Sequence, residues 1–366
     1  MPFPADVPTL TDGVVTLRAH RPSDAPRVVE QCADPLTQRW TTVPSPYDDA
    51  AAAAFLGDVV PYAWASATAA YFAIEHDGRF AGTIDLRSTG VGEAEVGFGL
   101  HPDARGRGVA RRALTLALDW GYAERDLAVV TWRAQVGNWA SRRAAWSVGF
   151  AFGPTVPGML DQRGERRDAW IGWLTRTDDR GPRTRWLSPP ALEGGGVRLR
   201  PWRDTDGDRL VEAALDPVLR AALPRAPLPR TADEVAGYLL RVGLGAANGD
   251  RVAWCVADAA TDVALGNAAV FGFEDGSAEV GFWSHPAGRG RGAMTAALGL
   301  VTAHALAGAE ADGLGVRRLD LLTAATNRGA RGLAERAGFT LVGVERATSP
   351  TRDGDWDDTA RYELLG

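Results

Sequence analysis

Two short loops concentrate the chemistry of this sequence. Arg105-Gly106-Arg107-Gly108 and Arg289-Gly290-Arg291-Gly292 each set two guanidinium groups between glycines. Each follows an alternating apolar segment and precedes a helical pattern, so each reads as a strand–loop–helix junction. Glycines let the backbone approach a ligand closely, and the first helical turn turns its N–H groups and positive dipole end toward an anion. Arginines beside them add charge that suits a diphosphate. Gly288-Arg289-Gly290-Arg291-Gly292-Ala293 also fits a G-x-G-x-x-A dinucleotide fingerprint. The first loop breaks that pattern with Ala104, several strands precede it, and no acidic residue is clearly placed to meet a ribose. Cys32 and Cys255 lie far apart with no metal-type spacing, which argues against a disulfide framework or a metal site.

The elements that must position these loops are themselves repeated. Glu95-Val96-Gly97-Phe98 recurs as Glu279-Val280-Gly281-Phe282, and His101-Pro102 as His285-Pro286, at the 184-residue offset of the loops (289 − 105). Val15-Thr16-Leu17-Arg18 matches Val197-Arg198-Leu199-Arg200, and Gly149-Phe150 matches Gly338-Phe339. The widening offset places small insertions in the second copy, notably around 307–315. This is a duplicated domain rather than a solenoid of short units. The expected layout is one domain over 1–176, a Pro/Gly/Arg-rich linker over 177–193 and a second domain over 194–366. Within the first copy, strands are expected at 13–19, 71–75, 81–86, 94–100, 129–134 and 169–174. Helices are expected after Ser23-Asp24, after Asp48-Asp49, over about 108–124 and over 140–148. The second copy repeats this order, giving an α+β class: a mixed, mostly antiparallel sheet flanked by helices.

With the motifs in that order, the chain resembles the GNAT superfamily of N-acetyltransferases, and within it the RimJ/RimL-like branch that acts on protein N-termini and small molecules. The family's acyl-CoA signature is Arg or Gln, two residues, Gly, one residue, then Gly or Ala. Arg105-Gly106-Arg107-Gly108-Val109-Ala110 matches throughout, and Arg289-Gly290-Arg291-Gly292-Ala293-Met294 matches except for the bulkier Met294. A later pattern, Asn-x-x-Ser followed by Gly-Phe, appears as Asn138-Trp139-Ala140-Ser141 and Gly149-Phe150. The second copy reads Asn327-Arg328-Gly329-Ala330, without the serine. The likeness covers nearly the whole chain.

The resemblance implies acetyl-CoA, or another acyl-CoA, as donor and an amine as acceptor. The strand before the loop would splay from its neighbour, so that backbone at Phe98, Gly99 and Leu100, and at Phe282, Trp283 and Ser284, meets the thioester and pantetheine. Backbone N–H groups of Arg107 to Ala110 would hold the pyrophosphate. Asn138, and Asn327 in the second copy, would bond the pantetheine arm, and Ser141 would protonate the departing thiolate. Asn138 and Ser141 also read as a helix N-cap pair. Glu95 and Glu279 stand where related enzymes place a carboxylate base acting through water, or are solvated strand charges. His101 and His285, beside proline at a bend, read as structural. Asp85, opposite Ala269 in the second copy, is a lesser alternative for the base. The first copy has the full motif set and is the expected catalyst. A CoA-binding sensor or scaffold with lapsed catalysis is the reading from another class.

Composition agrees with a soluble enzyme. The 366 residues are 45% hydrophobic and 23% charged, with no apolar run near membrane length. The N-terminal Met1-Pro2-Phe3-Pro4-Ala5-Asp6 lacks a basic region followed by an apolar one, so no secretion signal is expected, and the two cysteines fit a reducing cytoplasm. A net charge of −6 makes nucleic acid a poor partner and suits a cationic acceptor, a small-molecule amine or a peptide N-terminus. The expected assembly is a monomer or homodimer. All 40 basic side chains are arginine. Codon bias explains that simply; an enzyme that acylates amines would also gain by offering no lysine of its own.

Overall fold

The computed structural model describes residues 7–366; Met1 to Asp6, read above as carrying no secretion signal, lie outside them. The chain separates into two compact units, the first ending at Arg183 and the second spanning Thr184–Gly366. The stretch expected as a linker is tied down in both. Arg183 Nε donates to Gly149 O at 2.7 Å in the first unit. Leu187 is buried in the second, where its N–H donates to Ala246 O at 2.8 Å. Among the described residues no helix is long and apolar enough to cross a membrane.

The first unit opens with β1 (Leu10–Thr11) and β2 (Val15–Arg18), followed by α1 (Ala25–Ala33), α2 (Pro35–Trp40), α3 (Asp49–Ala54) and α4 (Val60–Ala65). A π-helical turn, Phe55–Val59, joins α3 to α4. Then come β3 (Ala69–His76), β4 (Arg79–Gly90), β5 (Glu93–Leu100), α5 (Val109–Glu124), β6 (Val129–Gln135) and α6 (Trp139–Ser147). Three strands close the unit: β7 (Ala151–Phe152), β8 (Val156–Gln162) and β9 (Glu165–Thr175). The sheet runs β1-β2-β3-β4-β5-β6-β9-β7, with β8 paired to β9. Among the described residues only β5 and β6 of this unit pair in parallel, joined through α5. Asp77 (φ 53°) and Gly78 (φ 69°) make the two-residue turn between β3 and β4, the positive-φ pair whose twist matches a hairpin.

Alternation along these strands sorts the two faces. Phe72, Ile74, Ile84, Leu86 and Val96 are buried with Leu114, Ala117 and Leu118 of α5. Each of these side chains larger than alanine stabilises the fold by about 1.5–3 kcal/mol. On the other face, Val28 and Cys32 of α1 and Ala52 of α3 cluster with Ala73 and Phe80. Ser23-Asp24, expected to cap a helix, acts otherwise, for Asp24 makes no side-chain bond into the first turn of α1. Its carboxylate takes a bidentate pair from buried Arg18 (2.8 and 2.9 Å) and the Arg21 N–H. Local cap preference is outbid by a charge six residues upstream. Asp48 does cap α3, accepting from Ala51 N.

The second unit has β10 (Leu192–Gly194), β11 (Val197–Arg200), α7 (Gly207–Leu215), α8 (Pro217–Ala222), α9 (Ala232–Asn248), β12 (Arg251–Asp258) and β13 (Ala264–Glu274). It continues with β14 (Ser277–Ser284), α10 (Ala293–Leu306), β15 (Arg318–Ala324), α11 (Arg328–Arg336), β16 (Thr340–Pro350) and β17 (Trp356–Leu365). The order β10-β11-β12-β13-β14-β15-β17-β16 repeats the plan, with β14–β15 its one parallel pair. Arg200 grips Asp206 as Arg18 grips Asp24. Both units are thus mixed, mostly antiparallel sheets flanked by helices.

Candidate active site

The parallel ladder between β5 and β6 runs from Glu93↔Val129 to Val96↔Trp132 and stops. Gly97 to Leu100 continue with β4 alone, so the sheet opens beside Phe98, Gly99 and Leu100. In the second unit the ladder runs from Ser277↔Arg318 to Glu279↔Asp320, leaving Phe282, Trp283 and Ser284 beyond its end. Each opening leads into its Arg-Gly-Arg-Gly loop. Gly106 (φ 72°) and Gly108 (φ 76°) are left-handed, with nothing within 4 Å of where a Cβ would stand. Backbone conformation, not crowding, therefore requires glycine there. Gly108 caps α5 without a side chain, and no acidic residue lies in the first turn, so no side chain caps the N–H groups of Val109 and Ala110. Gly290 and Gly292 repeat this ahead of Ala293.

The arginines are placed otherwise than their type suggests. Arg105 Nη2 donates to Asp34 Oδ2 (2.8 Å), Thr37 Oγ1 (3.0 Å) and Leu100 O (3.2 Å). It is a strut binding the loop to the cap of α2, not a free charge awaiting phosphate. Arg289 binds Asp216 in the same way. Arg107 pairs with Asp77 at 3.1 Å but is more than half exposed. The backbone, rather than Arg105, is what the loop offers an anion. Met294, the departure from the signature, is buried in the core. Its methyl lies 2.8 Å from where a side chain at Gly266 would begin, so the missing side chain there makes its room.

Asn138 caps α6, its Oδ1 accepting from Ser141 N at 3.2 Å, and Asn327 caps α11 by accepting from Ala330 N at 3.1 Å. Ser141 has a second bond: Trp132 Nε1 donates to its Oγ at 3.1 Å. With a donor on its oxygen, the hydroxyl proton is left to point elsewhere. Half-buried Trp40 lies over Gly137, next to Asn138. His101 is buried between Glu30 on Nε2 (2.8 Å) and Asp103 on Nδ1 (2.7 Å), and His285 bonds Glu212 at 3.0 Å. Both fasten the bend into the loop to the first helix.

The sheet face toward α1 holds most of the remaining polar chemistry. Both Glu95 oxygens are engaged, one by Arg87 Nη2 at 2.8 Å and the other by Arg133 Nε. Asp85 lies across from Gly97, with its Oδ1 2.7 Å from where a Cβ at Gly97 would sit, so only glycine accommodates it. It is 8% exposed, and its Oδ2 makes no hydrogen bond, although Arg87 Nε stands 3.3 Å away. Burial pushes its carboxyl up to about 7; Arg87 opposes that and Glu95 adds to it. Gln31 of α1 is likewise buried over Gly99, with Oε1 unpartnered. His20 bonds Thr83 Oγ1 at 3.1 Å through Nε2, leaves Nδ1 unpartnered, and is held down to about 4 by burial. Phe55, at the π-turn, stands edge-on to both His20 and Tyr71. Such turns often occur at functional sites.

The same register positions in the second unit are apolar except for Asn267. Tyr71↔Asp85 becomes Ala253↔Ala269, and Thr83↔Gly99 becomes Asn267↔Trp283. At the 182-residue offset of the first strands, Gln31 corresponds to Ala213 and His20 to Trp202. Trp202 stacks on buried Trp283 at 5.7 Å and 24°, and donates to Asn267. Phe271, where the first unit has Arg87, covers Gly281 at 2.8 Å from its would-be Cβ. Glu279 is retained, its carboxyl raised by burial and by Asp320.

A family model for an acetyltransferase (GNAT) domain matches the chain twice, over residues 15–151 and 197–340. The chain belongs to the GNAT acetyltransferase family. It carries the domain in tandem, and the splayed strand, glycine loop and following helix occur in each copy. Similar solved structures include Mycobacterium smegmatis RimJ in complex with CoA-disulfide (22% identity, 48% of this chain and 90% of that one, TM-score 0.43). Another is a GCN5-related N-acetyltransferase from Brucella melitensis (27%, 49% and 82%, 0.40). A third is RimL, a ribosomal L7/L12 alpha-N-protein acetyltransferase, in complex with coenzyme A (16%, 46% and 98%, 0.42). No curated protein matches the chain.

Asp85, Gln31, His20 and Tyr71 are the residues that sequence reasoning undervalued. Comparing the copies position by position carried the signal: each of these becomes apolar in the second copy while the loop is kept.

Proposed function

We propose that the chain is an acyl-CoA-dependent N-acyltransferase. Its first unit moves an acetyl group from acetyl-CoA to a primary amine, on a small molecule or a protein N-terminus, by direct attack. The observation that carries this reading is the opening of the sheet past Val96, which has the buried polar residues Asp85 and Gln31 on one face and leads to a helix without a side-chain cap. Donor and acceptor would thereby be aligned, which is where much of the rate of such a reaction arises. Backbone N–H groups of Arg107 to Ala110 hold the pyrophosphate, Asn138 uses its free amide N–H on pantetheine, and Ser141 directs its hydroxyl proton to the leaving sulfur. The residues present suit that donor, because the left-handed glycines leave the helix end uncovered.

For the second unit a cofactor-binding, non-transferring role is favoured, since Trp202, Trp283 and Phe271 fill the face on which an acceptor would lie. Gly108→Trp and Gly292→Trp test the assignment, each putting a bulky side chain at a left-handed position that costs about 1–2 kcal/mol. Release of free CoA over an amine panel should be lost with Gly108→Trp and kept with Gly292→Trp. Equal loss from both would sink the asymmetry.

A further inference from the structure

Buried polar atoms in folded proteins nearly always have partners, so an unpartnered set on one face asks for an explanation. Asp85 Oδ2, Gln31 Oε1 and His20 Nδ1 form such a set without hydrogen bonds in the first unit, Asp85 Oδ2 having only the Arg87 guanidinium at 3.3 Å as an ion-pair neighbour. They sit over consecutive same-face positions: His20 on Thr83, which pairs Gly99; Gln31 over Gly99; and Asp85 over Gly97. These glycines lie where the sheet opens toward the loop. All three side chains are replaced by Trp202, Ala213 and Ala269 in the second unit, where the fold is the same. The fold therefore does not need them.

We propose that Asp85, rather than Glu95, takes the proton from the acceptor's ammonium group, and that Gln31 Oε1 accepts a hydrogen bond from the same nitrogen. The proposal rests on the N-acyltransferase reading above. Glu95 has both oxygens committed to Arg87 and Arg133, and so serves to hold those guanidinium groups. Asp85 faces Arg87 on its own strand, Glu95 on β5 with Arg133 behind it on β6, and Tyr71 on β3. Among these, Arg87 alone favours its ionised form, and Arg87 is shared with Glu95.

The step balances as follows. An ammonium N–H bond breaks and its proton passes to Asp85 Oδ2, leaving a neutral amine. The nitrogen lone pair forms the C–N bond at the thioester carbonyl carbon, and the C–S bond breaks with its electron pair on sulfur. A second proton from that nitrogen reaches the sulfur through the Ser141 hydroxyl, giving amide and CoA thiol. Asp85 returns its proton to solvent as product leaves. A carboxylate that titrates close to the working pH is well matched to this role.

The test compares the full chain, Asp85→Asn and Glu95→Gln, reading free CoA from acetyl-CoA with an amine acceptor between pH 5.5 and 9.5. Acetyl-CoA binding is measured separately by calorimetry. The unaltered protein should show a rising limb in kcat/KM with a midpoint near 7. Asp85→Asn should lose the limb and about 10²–10⁴ of kcat/KM at neutral pH, with acetyl-CoA affinity unchanged. Glu95→Gln should keep the limb and move it to lower pH, because a neighbouring negative charge has gone. A folded Asp85→Asn that retains the limb, or a Glu95→Gln that abolishes it, overturns the assignment alone. An unaltered protein that binds acetyl-CoA and acylates no amine overturns the transferase reading and this assignment together.

Discussion

Replacing Asp85 by asparagine should stabilise the first unit at alkaline pH, by an amount that follows from its surroundings. The side chain is 8% exposed, and its carboxyl is raised from 3.8 to about 7, chiefly by burial. Below pH 3.8 folded and unfolded chains both hold the proton, and the group contributes no pH dependence. From 3.8 to 7 the unfolded chain ionises while the folded one does not, so stability falls as pH rises. Above 7 the full penalty stands, about 4 kcal/mol at 1.36 kcal/mol for each of some three pH units. Asparagine keeps the shape and has no such term. Urea unfolding at pH 5 and pH 8.5 reads the part lost across that window, about 3 kcal/mol in favour of the variant at the higher pH. The second unit has Ala269 at this position, so its own transition serves as an internal control. A difference between variant and wild type that stays flat from pH 5 to 8.5 would refute the reasoning, whatever became of activity.

Two further outcomes are expected. Ser141→Ala strips the acceptor from Trp132 Nε1 and should cost about 1–3 kcal/mol in the first unit's unfolding transition. It should also slow acyl transfer while leaving acetyl-CoA affinity intact; an unchanged kcat would remove Ser141 from the proton path. Arg18→Ala leaves Asp24 buried without its bidentate partner and should destabilise the first unit by about 3–5 kcal/mol, with Arg200→Ala doing the same in the second. Each loss should appear in the mutated unit's denaturation midpoint and not in the other's.

The repeat, the glycine loops and the alternation of Ala94 to Leu100 were legible because each is local. Period, left-handed glycine and strand–loop–helix order need no knowledge of partners. Arg105 was not legible in the same sense. Its type suggests phosphate, but the fold brings Asp34 to it from 71 residues away. Glu95 and Asp85 differ for a similar reason, since only the pairing of β4, β5 and β6 delivers Arg87 and Arg133 to one carboxylate and leaves the other short of donors. Helix α2 was not expected; Pro35 opens its first turn, where proline is well tolerated. Trp283 was read for its backbone alone, and its side chain found a use through Trp202, a neighbour only in space.

The contrast between the Asp85 cleft and the Trp202–Trp283 stack bears on how a duplicated chain divides labour. Polar atoms held ready for a ligand weaken the protein that holds them, and sites optimised for activity are seldom optimised for durability. Here two copies of one fold stand at opposite ends of that trade within a single polypeptide. The first bears buried polar atoms without hydrogen bonds, and the second has stacked indole rings on the same face. If the proposed division holds, the copy without the polar set should be the more durable of the two, and its twin the more fragile where it acts.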